Sequence, residues 1–302
     1  MNNIQGWLNI YKPTNIASFG ALKKIKKKFF INKIGHAGTL DPLAEGILPI
    51  AIGKTTKLIQ FINNQIKEYE FEIKWGEQTS TDDREGDVID RSFNIPNYKD
   101  ISLKLKKLTG TILQAPPKAS AIKINGVRAY KLFRSNKEFN VKKKYVYVYE
   151  SSIIDSKKNN LTKIKIKCGK GFYVRSFARD LADHLATKGH VFSLKRTKVG
   201  KFCLENSILL DDLLKIRHTH IGFREIHSSI SMLDDILAYE IGDEKLIKEV
   251  SQGKSVKIDS NLFLKDSLDL NERSIVFLTN NNNVLSFGKF NGNLFKPQKV
   301  LI

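Results

Sequence analysis

The clearest pattern in the chain is an alternation that runs from Glu68 to Trp75. Tyr69, Phe71, Ile73 and Trp75 fall on one face, while Glu68, Glu70, Glu72 and Lys74 fall on the other. A period of two with one apolar face predicts a half-buried strand. Residues 145–149 and 161–168 alternate in the same way and predict paired strands that turn near Asn159 and Asn160. Helical spacing takes over elsewhere. Phe19, Leu22, Ile25 and Phe29 follow Ser18, a residue suited to capping a helix N-terminus. Phe177, Leu181 and Leu185 predict a second helix, with Gly189 as its stop. Thr55 or Thr56 is expected to cap a short helix through Leu58, Ile59 and Phe61. Residues 6–18 read as a short strand, then a turn that ends in the Ser18 cap, and Asn15 tolerates left-handed backbone.

Past Ile216 the pattern weakens into a connector. Residues 246–253 then open a small β-rich unit. Residues 274–279 and 284–290 flank a turn at 280–283, and Asn291-Gly292-Asn293 makes another. A chain of 302 residues has room for a main domain of this kind and a smaller second one.

Charge narrows the partner. Lys and Arg number 51 against 31 Asp and Glu, a formal net charge of +20. Such an excess points to a polyanion, nucleic acid before membrane, because no long apolar run or lipidation signal is present. No signal-peptide core follows the first residues, so the chain reads as soluble and cytoplasmic. Two cysteines are too few for a disulfide framework. Cys168 keeps phase with Ile164 and Ile166 and reads as a small core hydrophobe. His218 and His220 lack companion ligands, so no metal is expected.

The stretch from 35 to 49 holds the candidate chemistry. Its three glycines, Gly35, Gly38 and Gly46, permit a tight loop, and Pro42 biases Asp41 toward extended backbone. The inventory suits neither a metal site, a hydrolytic triad nor a phosphate loop. Asp41 is either a turn acid or a displayed nucleophile. Asp82 and Asp83, in the polar loop 76–87, read as hydrogen-bonding turn acids rather than metal ligands. Gly169-Lys170-Gly171 lacks the spacing of a phosphate loop. Between 126 and 144, Arg128, Lys131, Arg134, Lys137 and Lys142 to Lys144 interleave with Tyr130, Phe133 and Phe139. That composition suits an RNA grip by attraction and stacking, or an ordinary amphipathic helix. Lys23, Lys24, Lys26, Lys27 and Lys28 read first as a solvated helix face.

Residues 35–49 resemble the catalytic motif of the TruB-type tRNA pseudouridine synthases, G-H-x-G-x-L-D-P-x-A-x-G-x-L-P, at every fixed position. Residues 12–18 are similar to that family's K-P-x-G-x-T-S element, with Asn15 in place of Gly and Ala17 in place of Thr. Residues 76–86, 114–121 and 170–175 resemble further family elements, and Ala119 stands where an aromatic is usual. The resemblance implies an α+β fold: a mixed, mostly antiparallel sheet flanked by helices, then a β-rich PUA-like domain at the C-terminus. It implies a catalytic domain at 1–235 with a thumb-like insertion at about 124–144, and the PUA-like domain at 236–302. It further implies Asp41 as nucleophile, Arg175 as its partner and Tyr69 as the aromatic that stacks on the target base. His36 would help displace that base, Tyr173 would contact the flipped nucleotide, and Leu194 would line the base pocket.

The implied reaction converts uridine 55 of the tRNA T loop to pseudouridine. It needs neither cofactor nor metal, and attack at C6 of the base or C1′ of the ribose stays open. The implied partner is tRNA, with no membrane and no obligatory protein, and the enzyme would be a monomer. Two rivals remain: a guide-RNA-dependent pseudouridine synthase, and a tRNA-folding chaperone with a vestigial catalytic loop.

Overall fold

Apolar alternation builds a ten-stranded sheet at the centre of the protein. The computed structural model describes residues 4–62, 65–157, 160–216, 225–233, 237–258, 275–291 and 293–302. Across the sheet the strands run Ile208–Leu209, Gly6–Lys12, Glu45–Ile52, Gly189–Val199, Lys67–Trp75, Leu161–Cys168, Lys144–Lys157 and Gly110–Gln114. Two short strands, Ile34–His36 and Phe202–Cys203, pair on its flank. Among the described residues of this sheet only the pairings Gly6–Lys12 with Ile208–Leu209 and Gly189–Val199 with Glu45–Ile52 are parallel, so the sheet is mixed and mostly antiparallel.

The strand Lys67–Trp75 is central, and its alternation falls as expected. Tyr69, Phe71, Ile73 and Trp75 are buried, while the residues between them are half-exposed. The helix Val174–His184 covers that apolar face, with the Phe71 and Phe177 rings meeting edge to face at 6.2 Å. On the outer face the charges pair across strands, Lys163 with Glu70 at 2.9 Å and Lys165 with Glu68 at 3.5 Å. Cys168 is buried in the core, as its phase predicts.

Several local expectations need correction. The helix Ser18–Lys28 has Ala17 at its N-cap, and Ser18 caps nothing. Its hydroxyl bonds residue 40 instead, because a buried loop backbone competes for it. Phe19 is 62% exposed, and the buried stripe is Ala21, Leu22, Ile25 and Phe29. Neither Thr55 nor Thr56 caps a helix. Residues Gly53–Leu58 form a 3-10 turn before the short helix Ile59–Ile62, and Thr56 donates back to the Gly53 carbonyl. Gly189 does not stop the helix that ends at His184 but opens the next strand, packed against Trp75. Asn15 does take left-handed backbone, at φ 62°.

The C-terminal part folds as a five-stranded sheet in the order Leu237–Glu240, Ile275–Asn280, Asn283–Asn291, Leu294–Val300, Val256–Lys257, with the helix Glu244–Ser251 against it. This curled β unit is of PUA-like kind. Its tightest turn uses Asn281 and Asn282, both at positive φ. Phe61 packs edge-on against Phe277 and Phe287, so one apolar cluster joins this sheet to Trp7 and Ile47 of the central one. Asn159, His218, His220, Ser274, Gly292 and the expected boundary at 235 lie outside the described residues.

Candidate active site

The strands Ile34–His36 and Glu45–Ile52 form a hairpin whose tip is the loop 37–44. Ala37 closes its base through a bond to the Pro49 carbonyl, and Ala44 turns back onto the Asp41 carbonyl. Leu40, Leu43 and Ala44 are buried and anchor the loop from below. Ser18 clamps it from the side, donating to the Leu40 carbonyl and accepting from the Leu40 amide, both at 2.8 Å. Asp41 is left pointing upward. Gly46 shows why a glycine is needed here: it adopts φ +104°, and a Cβ would sit 2.2 Å from the Arg196 carbonyl oxygen. Gly35 takes no left-handed conformation; its space is limited by the Ile59 side chain.

Asp41 forms an ion pair with Arg175, Oδ2 to Nε at 2.9 Å. Arg175 starts the helix Val174–His184 and is almost fully buried. Its other nitrogens are all committed. Nη1 reaches Asp83 at 3.2 Å and the Thr81 carbonyl at 3.0 Å, and Nη2 donates to the Ala119 carbonyl at 3.1 Å. Asp83 is held in turn by the Thr81 hydroxyl and the Glu85 amide. One turn along the helix, Arg179 pairs with Asp82 at 2.8 Å and with Asp180 at 2.9 Å. Two arginines four residues apart thus fasten Asp82 and Asp83 of the 79–87 turn.

Burial pushes the Asp41 carboxyl above the ordinary carboxylate range; Arg175 and Lys12 pull it back, and the Asp83 charge adds to the rise. The guanidinium restrains the effect of burial without reversing it. Lys12 is itself buried beneath the loop, donating to the Pro13 and Ile16 carbonyls, and burial brings its pKa down to about 8.

Above Asp41 opens a cavity of 520 Å³. Asp41, Tyr69, Tyr173, Arg175 and Leu194 all line it, so five of the six expected residues meet in one place. His36 is not in that lining. It lies half-buried at the base of the hairpin, with Nδ1 covered and without a hydrogen-bond partner, and burial lowers its pKa. Tyr69 is 8% exposed, and burial raises its hydroxyl pKa against the pull of Arg196. Tyr173 is held through its backbone, which exchanges bonds with the Gln114 side chain at 2.8 and 3.1 Å. Ala119 and Tyr130 complete one wall. No group of three or more His, Cys, Asp or Glu among the described residues is arranged to hold a metal.

Asp83 and Arg196 were not anticipated. The turn-acid reading of Asp83 is right for Oδ1 and misses Oδ2, which reaches Arg175. A second arginine four residues after Arg175 was the available signal that this turn faces the helix.

Residues 26–174 match the family described as TruB family pseudouridylate synthase (N terminal domain). A tRNA pseudouridine synthase B of Ehrlichia ruminantium is 37% identical, over 98% of this chain and 98% of its own. That of Bartonella bacilliformis is 36% identical over 99% and 96%. A third, from Wolbachia pipientis, is 47% identical over 70% of this chain and 60% of its own. Among solved structures, a Cbf5-Nop10-Gar1 complex superposes with a TM-score of 0.74 at 22% identity, covering 98% of this chain and 85% of that one, which speaks to the fold. The chain belongs to the TruB family and is a tRNA pseudouridine synthase, an isomerase.

Proposed function

We propose that the enzyme converts uridine 55 of the tRNA T loop to pseudouridine, with Asp41 as the nucleophile. The observation that carries this reading is Asp41 in the lining of a cavity, its carboxylate aimed by Arg175 at 2.9 Å. A uridine in a folded loop must first be extruded, at a cost of a few kcal/mol. Contact with Tyr69 and Tyr173 offsets part of that, at about 1–3 kcal/mol per stacked base. Leu194 provides the apolar wall. Asp41 then adds to C6 of the base or C1′ of the sugar, the N1–C1′ bond breaks and the base turns; C5 is joined to C1′, the Asp41 bond is released, C5 gives up its proton and N1 takes one up, so that the product is an isomer of the substrate. A partly desolvated carboxylate is the stronger nucleophile, and the double anchorage of Arg175 keeps it in line.

The basic segment 124–144 acts as a thumb over the RNA, and residues 236–302 form a separate RNA-binding domain behind the catalytic one at 1–235. His36 acts before chemistry, in displacing the base from its stack. The enzyme works as a monomer in the cytoplasm, on tRNA alone. Incubation with an unmodified tRNA transcript, free of guide RNA and other proteins, followed by position-specific mapping, is expected to find pseudouridine at 55. Absence of product there, or product elsewhere in the tRNA, overturns the reading.

A further inference from the structure

Arg196 has no place in the reaction described above, yet its surroundings are unusual. It is 1% exposed and still lines the cavity. Its strand sets it opposite Tyr69 on one side and Gly46 on the other. Nε donates to the Ile47 carbonyl at 2.8 Å and Nη2 to the Gly38 carbonyl at 2.9 Å, one bond to each side of the loop that carries Asp41. The guanidinium charge also lowers the pKa of the Tyr69 hydroxyl against the larger effect of burial. Gly38 and Gly46 both leave room for it: a Cβ at Gly38 would stand 3.3 Å from Nη1, and one at Gly46 would strike its backbone.

Charge makes the contrast with Arg175 plain. Arg175 neutralises two carboxylates, whereas no ion pair joins Arg196 to a carboxylate among the described residues. Burying a guanidinium against carbonyls alone is costly, so its charge remains to act on its neighbours. It does so in one direction. It pulls the Tyr69 hydroxyl down against burial, and it adds to the lowering of Lys67 to about 8 and of His36.

We propose that Arg196 is a positioning residue of this active site: its fork ties both sides of the Asp41 loop to the Tyr69 strand, and its charge, which meets no carboxylate among the described residues, stands beside the Tyr69 side chain. The loop and the tyrosine approach the base from different parts of the sheet, and Arg196 is the group that spans them. This inference rests on the reading of Asp41 and Tyr69 as active-site groups, but its test does not need turnover.

The probe is 3-fluorotyrosine placed at position 69 of the full chain, titrated by fluorine NMR without RNA. In Arg196→Gln the hydroxyl is expected to titrate at higher pH than in the parent, and in Arg196→Lys between the two. Single-turnover rates on tRNA should fall about 100-fold for Gln and about tenfold for Lys, since a small misplacement of reacting groups has that scale of effect. Affinity for tRNA should change far less than the rate. An unmoved titration in Arg196→Gln overturns the proposal, as do parental rates in both variants. Should the Gln variant fail to fold, an unmoved titration in Arg196→Lys is equally decisive. Absence of pseudouridine at 55 in the parent would sink the functional reading and leave the titration standing.

Discussion

The floor of the cleft and the segment 124–144 carry charge in opposite ways. In the cleft, Arg175 pairs with Asp41 and Asp83 and Arg179 with Asp82, and Arg175, Asp82 and Asp83 are buried. In the segment, Lys131, Arg134, Lys137 and Lys142 to Lys144 are exposed and join no carboxylate among the described residues. The two regions meet at one strip of backbone. Ala119 holds Arg175 through its carbonyl, and the next residue, Ser120, accepts from the Tyr130 amide of the basic segment. Fixed, desolvated charge directs chemistry, while mobile, solvated charge gathers a polyanion. Substitutions in the two places should therefore fail differently.

The largest effect belongs to Asp41. Asp41→Asn is expected to lower the single-turnover rate on tRNA by a factor of roughly 10³ or more, with affinity changed only a few-fold. Filter binding beside a quenched time course separates the two. The same variant should not unfold earlier than the parent at neutral pH. A carboxyl raised on folding binds its proton more tightly in the folded protein than in the unfolded chain. Stability is thus lost as pH rises from the unfolded to the folded pKa, and an amide escapes that penalty. A urea midpoint well below the parental one would show that the Arg175 pair outweighs the cost of burial.

Next comes the arginine. Arg175→Ala leaves Asp83 buried without its cation, so a loss of about 3–5 kcal/mol in unfolding free energy is expected, together with near-total loss of turnover. Asp83→Asn is the sharper probe, because it loosens Arg175 and also removes a charge that raises the Asp41 pKa. With Asp41 as the proposed nucleophile, activity needs it ionised and is expected to fall as pH drops through that pKa. The acid limb of the rate should therefore move to lower pH in Asp83→Asn, even as the plateau drops about tenfold or more. A limb that stays in place or moves up would mean that the two carboxylates are not coupled.

Which parts were legible in the sequence follows from how local each signal is. Tyr69 to Trp75 could be read because one strand repeats its environment every two residues. Asp41 could be read because its loop is contiguous, and Arg175 through resemblance. Asp83 and Arg175 lie far apart in the chain, and nothing in the 76–87 turn announces which helix will cover it. Arg196 sits in a run of lysines and polar residues that looks like a solvent face. Irregularities flank it at Val191/Ser193 and Arg196/Lys198, but the register holds between them, so Arg196 shares the inner face of Leu194 and is buried. Phe19 shows the reverse error: helical spacing marks a stripe without saying which edge of it the neighbours will reach.

The basic segment should break in a quieter way. Replacing Lys131, Arg134 and Lys137 together with Ala is expected to weaken tRNA binding about tenfold at moderate salt and to leave the saturated single-turnover rate near parental. For every phosphate that the variant no longer neutralises, the slope of log affinity against log salt should shrink by about 0.7 on single-stranded segments and about 0.9 on duplex. An unchanged slope would make this face a merely solvated one. A lowered rate at saturation would mean that the Ser120–Tyr130 tie transmits disorder into the cleft.

The smallest effect tests that cleft from its side. Ser18 is buried at the side of the loop, outside the cavity lining, and its hydroxyl both gives and accepts a bond at Leu40. Ser18→Ala leaves a buried amide and a buried carbonyl without that partner, at a cost of about 1–3 kcal/mol. Leu40 is adjacent to Asp41, so part of that cost should surface as a looser carboxylate. The turnover rate should fall a few-fold, with tRNA affinity and the salt slope both unchanged. Ser18→Thr keeps the hydroxyl and should recover most of the rate if its added methyl group fits. If Ser18→Ala lost stability with no loss of rate, the loop would be anchored well enough by Leu40, Leu43 and Arg196, and the precision of Asp41 would be set from above, by Arg175 alone.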